Sequence, residues 1–511
     1  MKAVVVGLVA LAVRLGHLAS LVGTTLYLAP PLDGEVYLAT AHRPIEGVYF
    51  QSPGYVAFLK AIFVFSDGPL LFRLVQCGLG AGTAALTVVI AARVVSARWA
   101  VLAGLGVALC GPLVVVDGWP ALESLNVFLQ TAACAALLAT SDERRRVAWS
   151  AVAGLCLGAA VLVRPSALVL TILAAGWLVS QKRLRLAALT VAVAGLTVAP
   201  VTLHNLTAGD SVLVTASGGL NFYLGNGQGA DGVYRVPALL PGASDALRMA
   251  EVSQTVAERS VGKRLRPSEV SAWFYDQTWR DIGHDRAAWL RLLGRKALLA
   301  VNWFEAPCSE DYYLERSRSP SLRAAFVTFG LLAPLALLGT VVVLRRRSLP
   351  GVLILVFVAA TMATLLVYFY LGRYRLPTLP FVAVLAAVGG EAVLALVRKK
   401  QWLRVTLSAA LLVAAAVVIH LHLIRPDPAQ ELVKVGVAAI RLGRLDEAAV
   451  EFERALQADP DRIQALQNLA VLRGRAGRTD EAHALWLHLR DVARRTNNPR
   501  ALAVAEAALA R

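Results

Sequence analysis

The chain has 511 residues, of which 57% are hydrophobic and only 17% charged, and its mean hydropathy is +0.60. A soluble protein of this size carries far more charge, so the composition excludes an ordinary soluble enzyme. The formal net charge of +17 does not indicate nucleic-acid binding. Much of it lies at the ends of apolar runs, and no helix-turn-helix, RNP or zinc pattern accompanies it.

Recurring apolar runs, each long enough to cross roughly 30 Å of hydrocarbon, predict an all-α, polytopic membrane protein. We predict eleven spans: 3–28, 70–92, 99–116, 121–140, 148–163, 166–180, 187–203, 323–344, 351–371, 378–397 and 402–424. Short connections rich in Arg and Lys, such as 144–146, 345–347 and 398–400, fall on one side, which is the cytoplasm by the positive-inside rule. This predicts a multi-pass protein of a bacterial-type inner membrane, with a cytoplasmic N-terminus and an extracytoplasmic C-terminal region.

Charged side chains gather at the predicted outer face, although a charge at the membrane boundary is costly. In the first outer loop, Asp33 and Glu35 alternate along an extended segment and would point to the same side. Arg373 and Arg375 follow late in the chain, within Leu371-Gly-Arg-Tyr-Arg-Leu-Pro377. The outer turns between them add three more charges: Asp117, Glu123 and Arg164.

The large outer block, 204–322, contains Gly218-Gly219-Leu-Asn221-Phe222-Tyr223-Leu-Gly225-Asn226-Gly227. Such a run of Gly, Asn and aromatic residues is typical of tight turns and of surfaces on which sugars stack, although it can also be a plain connecting loop. The candidates for contacting a sugar or acceptor are Asn221, Tyr223 and Asn226 of this run, together with Tyr55.

A second domain is predicted at 429–511, after a linker at 425–428. Gly443-Arg-Leu-Asp446-Glu447-Ala448 recurs as Gly477-Arg-Thr-Asp480-Glu481-Ala482, an offset of 34 residues that is the tetratricopeptide period. The register predicts repeats at 429–462 and 463–496 and a capping helix at 497–509, behind a membrane domain at 1–424. This α-solenoid is either a docking surface for a protein or peptide, or a stabilising tail that binds no partner.

The outer charges suit the transfer of a sugar from a polyprenyl-phosphate donor. Departure of the lipid phosphate develops negative charge, which arginines can stabilise with paired hydrogen bonds. An acceptor hydroxyl needs a general base, which a carboxylate beside the membrane can supply.

The order of these signals resembles the C-type glycosyltransferases, a superfamily that includes the protein O-mannosyltransferases and the lipid A aminoarabinose transferases. An acidic first loop is followed by Pro53-Gly54-Tyr55-Val-Ala-Phe58-Leu59, an acidic residue near the start of the fourth span, Arg164-Pro165, and the late Arg-Tyr-Arg-Leu-Pro. The resemblance implies a hexosyl- or pentosyltransferase.

By that resemblance, Asp33 is the catalytic base, favoured over Glu35 because the mannosyltransferases carry adjacent Asp-Glu in this loop. Glu123 or Asp117 would be the second acidic residue, and the lipid phosphate would be held by Arg373, Arg375 and Arg164.

No Cys or His spacing indicates a metal centre, so no metal ligand and no firm cofactor is predicted, although two or three loop acids could hold a divalent cation. Two other functions fit parts of the pattern. One is a non-catalytic scaffold or transporter that presents the repeat domain. The other is a polysaccharide polymerase or ligase that uses a polyprenyl-pyrophosphate donor.

Overall fold

The computed structural model describes residues 1–44, 46–243, 246–309 and 311–510, and only the backbone of 246 and 247. The predicted outer block contains positions 244, 245 and 310, and the predicted repeat domain ends at 511; these four positions lie outside the described residues. The chain forms two compact units. One comprises Met1–Ser20 and Leu32–Ile424, and the other comprises Leu21–Pro31 and Arg425–Arg511.

The helices up to the large outer block run in chain order. They are α1 (Lys2–Leu21), α2 (Thr25–Leu28), α3 (Asp33–Ala41), α4 (Pro53–Phe63), α5 (Pro69–Ala91), α6 (Ala97–Ala108), α7 (Gly111–Gly118), α8 (Leu122–Ala139), α9 (Arg146–Val163), α10 (Ala167–Ser180) and α11 (Leu184–Thr207).

The outer block contributes α12 (Gly218–Asn226), α13 (Ala246–Val261), α14 (Pro267–His284), α15 (Arg286–Ala300), α16 (Tyr312–Arg318) and α17 (Pro320–Ala324). The remaining helices of the first unit are α18 (Phe329–Arg346), α19 (Leu349–Val367), α20 (Gly372–Arg375), α21 (Leu379–Arg398) and α22 (Trp402–Ile419), with a 3₁₀ turn at Leu376–Thr378.

Within the described ranges, nine helices are long and apolar enough to cross a membrane. They are α1, α5, α8, α9, α11, α18, α19, α22 and the stretch Gly372–Arg398. Three shorter apolar helices, α4, α6 and α10, accompany them. The chain is thus a helical, multi-pass membrane protein, while the count of eleven spans and the orientation stay predictions.

The predicted span 99–116 is two helices, α6 and α7. Pro112 has no N–H to donate, and in a continuous helix its ring would meet the carbonyl four residues earlier. The backbone groups at the break pair with a distant segment instead. Gly111 N donates to Val327 O at 3.0 Å, and Val327 N donates to Leu109 O at 3.0 Å. These bonds satisfy polar groups that apolar surroundings would otherwise leave unpaired.

The first predicted span, 3–28, also ends early, because α1 stops at Leu21. Gly23 follows with φ +80°, a conformation that side-chain-bearing residues rarely adopt, and it turns the chain out of the helix. The short helix α2 comes next, and its N-cap Thr24 accepts from Tyr27 N at 3.3 Å.

In the second unit, five helices follow one another as packed neighbours: α23 (Pro428–Arg441), α24 (Leu445–Ala458), α25 (Ile463–Arg475), α26 (Thr479–Arg495) and α27 (Pro499–Leu509). Gly443 and Gly477, the repeated glycines, make the turns within each helix pair at φ +72° and +76°. A Cβ on Gly436 would lie 2.6 Å from the ring of Phe452, so α23 and α24 approach closely only because this residue is small.

Candidate functional site

A cavity of about 280 Å³ opens among helix ends of the first unit. Its walls come from the start of α3, the segment 50–52, the end of α9, the start of α12 and the α19–α20 junction. Three charged side chains line it: Asp33, Arg164 and Arg373. Aromatic rings supply much of the remaining wall, among them Tyr37, Tyr234 and Tyr374.

Local backbone geometry places each of these charges. Asp33 begins α3 directly after Leu32, whose φ of 53° is unusual for a residue with a side chain and marks a strained turn. Arg164 directly follows α9, which stops at Val163 because Pro165 disfavours a helical conformation at the residue before it. Gly372 N donates to Ala306 O at 3.1 Å and fixes the backbone next to Arg373.

The charges form one connected network. Arg373 Nη2 donates to Asp33 Oδ2 at 2.5 Å, and its Nε lies 3.7 Å from Glu123 Oε1. Arg164 donates to the same oxygen of Glu123. Two carboxylates thus balance two guanidinium groups, and Glu123 joins both arginines.

Exposure separates the two carboxylates. The side chain of Glu123 is only 1% exposed, whereas that of Asp33 is 24% exposed. Glu123 can therefore orient the two arginines, while Asp33 is the carboxylate that a molecule in the cavity can reach.

The ring of Tyr374 contacts both arginines of the cavity. The guanidinium carbon of Arg164 lies 4.1 Å from the centre of its ring, and that of Arg373 lies 5.6 Å from it. Such cation–π contacts hold both side chains against the same ring. On α3, burial raises the pKa of Tyr37 well above its ordinary value, and the nearby Asp33 charge adds to the shift, so the hydroxyl stays neutral.

Arg375 lies outside this cavity. It is 1% exposed, donates to the backbone oxygens of Ala300 and Asn302, and its Nη2 lies 2.8 Å from Glu305 Oε1. Its guanidinium carbon lies 3.8 Å from the ring centre of Phe329. Burial raises the pKa of Glu305 even though the Arg375 charge opposes that shift. Arg373 and Arg375 therefore point to different surroundings.

Asp117 and Glu35 are also absent from the cavity wall. Asp117 is buried, pairs with Arg14 at 2.6 Å and accepts from Ser124 Oγ at 2.5 Å. Glu35 is exposed on α3. The expectation that Asp33 and Glu35 share one side of an extended loop was wrong, because both lie in the first turn of a helix, where residues i and i+2 diverge.

The predicted sugar-contacting residues lie in four different surroundings. Asn221 lines the cavity. Tyr55 is fully buried and its hydroxyl donates to Gln76 Oε1 at 2.6 Å. Tyr223 packs in an apolar cluster, with its ring centre 5.5 Å from that of Phe274. Asn226 lines a second cavity, described below.

Sequence reasoning missed Tyr374 and Tyr234 in the wall, although Tyr374 lies within the Arg-Tyr-Arg motif. An aromatic residue between two arginines was the available signal, since guanidinium groups stack readily on aromatic rings.

A divalent cation does not fit the carboxylates as they stand. In the part of the chain that the structure describes, no group of three or more His, Cys, Asp or Glu side chains is close enough to hold a metal ion. Asp33 and Glu123 are each engaged by an arginine, whose charge would repel a cation at the same oxygens. No chemical step is therefore assigned to a cation.

Fold and site thus define a helical membrane protein with a cavity lined by two arginines and a reachable carboxylate. No protein-family profile and no curated protein matches the sequence.

The comparison with solved structures finds two proteins, each with a TM-score below 0.5. The oligosaccharyltransferase of Archaeoglobus fulgidus in its apo form is 16% identical with a TM-score of 0.46 over 84% of this chain and 57% of that one. The same archaeal enzyme, AglB, with an inhibitory peptide and a dolichol-phosphate is 17% identical, with a TM-score of 0.46 over 89% and 59%. ArnT from Cupriavidus metallidurans bound to undecaprenyl phosphate is 17% identical, with a TM-score of 0.35 over 76% and 78%. The chain spans less than three fifths of the archaeal enzyme's length.

Proposed function

We propose that this protein is a membrane glycosyltransferase that moves a sugar from a polyprenyl-phosphate donor to an acceptor hydroxyl outside the cytoplasm. The observation that carries the proposal is the pairing of Arg373 with Asp33 at 2.5 Å on the wall of the cavity. It brings a phosphate-binding group and a candidate base within one hydrogen bond of each other.

Arg164 and Arg373 would hold the donor phosphate. Both line the cavity, and Glu123 and Tyr374 contact both. Guanidinium groups bind phosphate oxygens with paired N–H donors, which suits a tetrahedral anion with several acceptors. Arg375 would support the α19–α20 junction from behind, because its donors are engaged by Glu305 and backbone carbonyls.

Asp33 would act as the general base. As the acceptor oxygen forms its bond to the anomeric carbon, its proton passes to the Asp33 carboxylate. The bond between the anomeric carbon and the phosphate oxygen breaks, and its electron pair leaves with the polyprenyl phosphate. Arg164 and Arg373 stabilise the charge that develops there. The transfer needs no reactant besides the donor and the acceptor.

The Asp33–Arg373 pair also links donor binding to the accessibility of the base. A donor phosphate would compete for Arg373 and draw it from Asp33. The carboxylate oxygen that Arg373 holds would then be open to the acceptor hydroxyl only when the donor is in place.

Purified protein in detergent, supplied with radiolabelled polyprenyl-phosphate sugars and a cell-envelope extract, tests this proposal. We expect label to pass to an acceptor in the extract, and the transfer to fall by about 10²–10⁴-fold in the Asp33→Asn variant. Transfer from polyprenyl-pyrophosphate donors alone would identify a polymerase or ligase instead. No transfer from either donor class would contradict an enzymatic function and favour a scaffold.

A further inference from the structure

A second cavity, of about 500 Å³, lies at the C-terminal end of α12. Gly218, Asn221 and Leu224 of this helix line the first cavity, whereas Asn226, its last residue, lines the second. The other walls of the second cavity are the turn 227–230, the end of α14 and the start of α15.

Four hydrogen bonds hold the side chain of Asn226 in place at the wall of this second cavity. Its Nδ2 donates to Phe222 O at 3.0 Å and to Val367 O at 2.7 Å. Its Oδ1 accepts from Lys296 Nζ at 2.8 Å and from Trp289 Nε1 at 3.2 Å. All four hydrogen-bonding positions of the amide are thus in use, so Asn226 orients its neighbours and has no position left for a ligand.

Trp289 is the neighbour that faces the cavity. Because its indole N–H is engaged by Asn226, the ring presents apolar surface to the space beside it. Lys296, which holds Asn226 from the other side, is completely buried, and burial lowers its pKa to about 7. The buried Lys296–Asn226 pair thus anchors the indole N–H of the half-buried Trp289 and restricts the orientation of its ring.

The rim of the cavity is polar. Arg280 and His284 lie one helical turn apart on α14, and Asp281 and Asp285 lie beside them. Both carboxylates already accept from backbone N–H groups: Asp281 from Gln228 N at 2.9 Å, which ties the turn 227–230 to α14, and Asp285 from Ala288 N at 2.8 Å. Donors and acceptors therefore alternate around an aromatic wall, and there is no excess of positive charge that would select an anion.

We propose that the second cavity binds neutral sugar residues of the acceptor, with the ring of Trp289 as their stacking surface. An uncharged sugar offers an apolar C–H face to the ring and hydroxyl groups to the alternating donors and acceptors of the rim. The described walls are helix ends and a turn, without the strand edge or regularly spaced apolar pockets that docked peptides use. This proposal rests on the proposed transferase function, since it assigns the acceptor to that same reaction.

Binding of neutral trisaccharides to the full-length protein in detergent tests the assignment independently of transfer. Mannotriose, maltotriose and N,N′,N″-triacetylchitotriose are titrated, with ligand-observed NMR and calorimetry as readouts. We expect at least one to bind, and Trp289→Ala to weaken that binding by about tenfold or more, as truncation of a buried tryptophan contact does. Trp289→Phe, which keeps an aromatic ring, should lose less.

Trp279→Ala is the matched control. Trp279 is 56% exposed on α14 and is not part of the cavity wall, so its loss should change saccharide affinity by no more than about twofold. Polyprenyl-phosphate binding should be unchanged in Trp289→Ala, which shows that the variant is folded. Failure of any trisaccharide to bind the wild type, or equal affinity in wild type and Trp289→Ala, overturns the assignment.

Failure of the transferase function would give a different result. Arg373→Ala should lose donor affinity and keep trisaccharide affinity, because Arg373 lines the first cavity and not the second. Saccharide binding without any donor binding would support the second cavity and contradict the proposed reaction. Donor binding without saccharide binding would contradict the assignment of the second cavity and leave the proposed reaction standing.

Discussion

Replacing Arg373 with Ala should weaken binding of a polyprenyl phosphate by about tenfold. A hydrogen bond to a charged group contributes about 1.5–3 kcal/mol, and each 1.4 kcal/mol is about tenfold in affinity. The lower end applies here, because the donor must first displace carboxylates that lie 2.5 Å and 3.7 Å from the guanidinium group. Lys at this position should restore only part of the loss, since an ammonium group lacks the planar fork.

The assay is a titration of polyprenyl phosphate into purified wild type, Arg373→Ala and Arg375→Ala, with thermal stability measured in parallel. Arg375→Ala should chiefly lower the melting temperature, because it leaves Glu305 buried without its partner at a cost of about 3–5 kcal/mol. Unchanged affinity in Arg373→Ala would refute the assignment. A large loss of affinity in Arg375→Ala, at an unchanged melting temperature, would transfer the phosphate role to Arg375.

Three further results are expected. Burial raises the pKa of Glu315 from 4.5 to about 7. The stability that the neutral Glu315 side chain contributes is therefore complete below pH 4.5 and is lost as pH rises through about 7. The melting temperature of wild type should fall relative to that of Glu315→Gln between about pH 5 and pH 8. Gly219→Ala should lower the melting temperature, because its Cβ would lie 1.8 Å from Ser271 O, whereas Gly294→Ala meets no atom within 4 Å and should not. A reporter active only in the cytoplasm, fused after Arg511, should be silent, and a strong signal would mean that a predicted span is miscounted.

Sequence periodicity predicted the membrane helices well where a helix is continuous. The runs 70–92 and 121–140 correspond to α5 and α8 almost residue for residue. Hydropathy could not predict the break between α6 and α7, because Leu109 and Cys110 are as apolar as their neighbours. The break depends on backbone hydrogen bonds to Val327, more than 200 residues away.

In the candidate site, too, the sequence shows which residues are charged but not which distant residues each of them contacts. Asp33, Arg164 and Arg373 could be listed from the sequence, because charges beside apolar runs are conspicuous and the predicted topology puts them on one face. Arg373 and Arg375 could not be told apart, since both lie in the same short motif. Their surroundings differ because residues from other parts of the chain pair with each: Asp33 and Glu123 contact Arg373, whereas Glu305 contacts Arg375.

Asp33→Asn tests the account most directly, when transfer and donor binding are measured on the same preparation. Asparagine keeps the shape of the side chain and removes its basicity, so transfer should fall by about 10²–10⁴-fold. Donor affinity should hold or rise, because Arg373 is released from its carboxylate partner. Glu35→Gln, on the exposed side of α3, should change neither quantity to a comparable extent. Normal transfer by Asp33→Asn would contradict the assignment of Asp33 as the base.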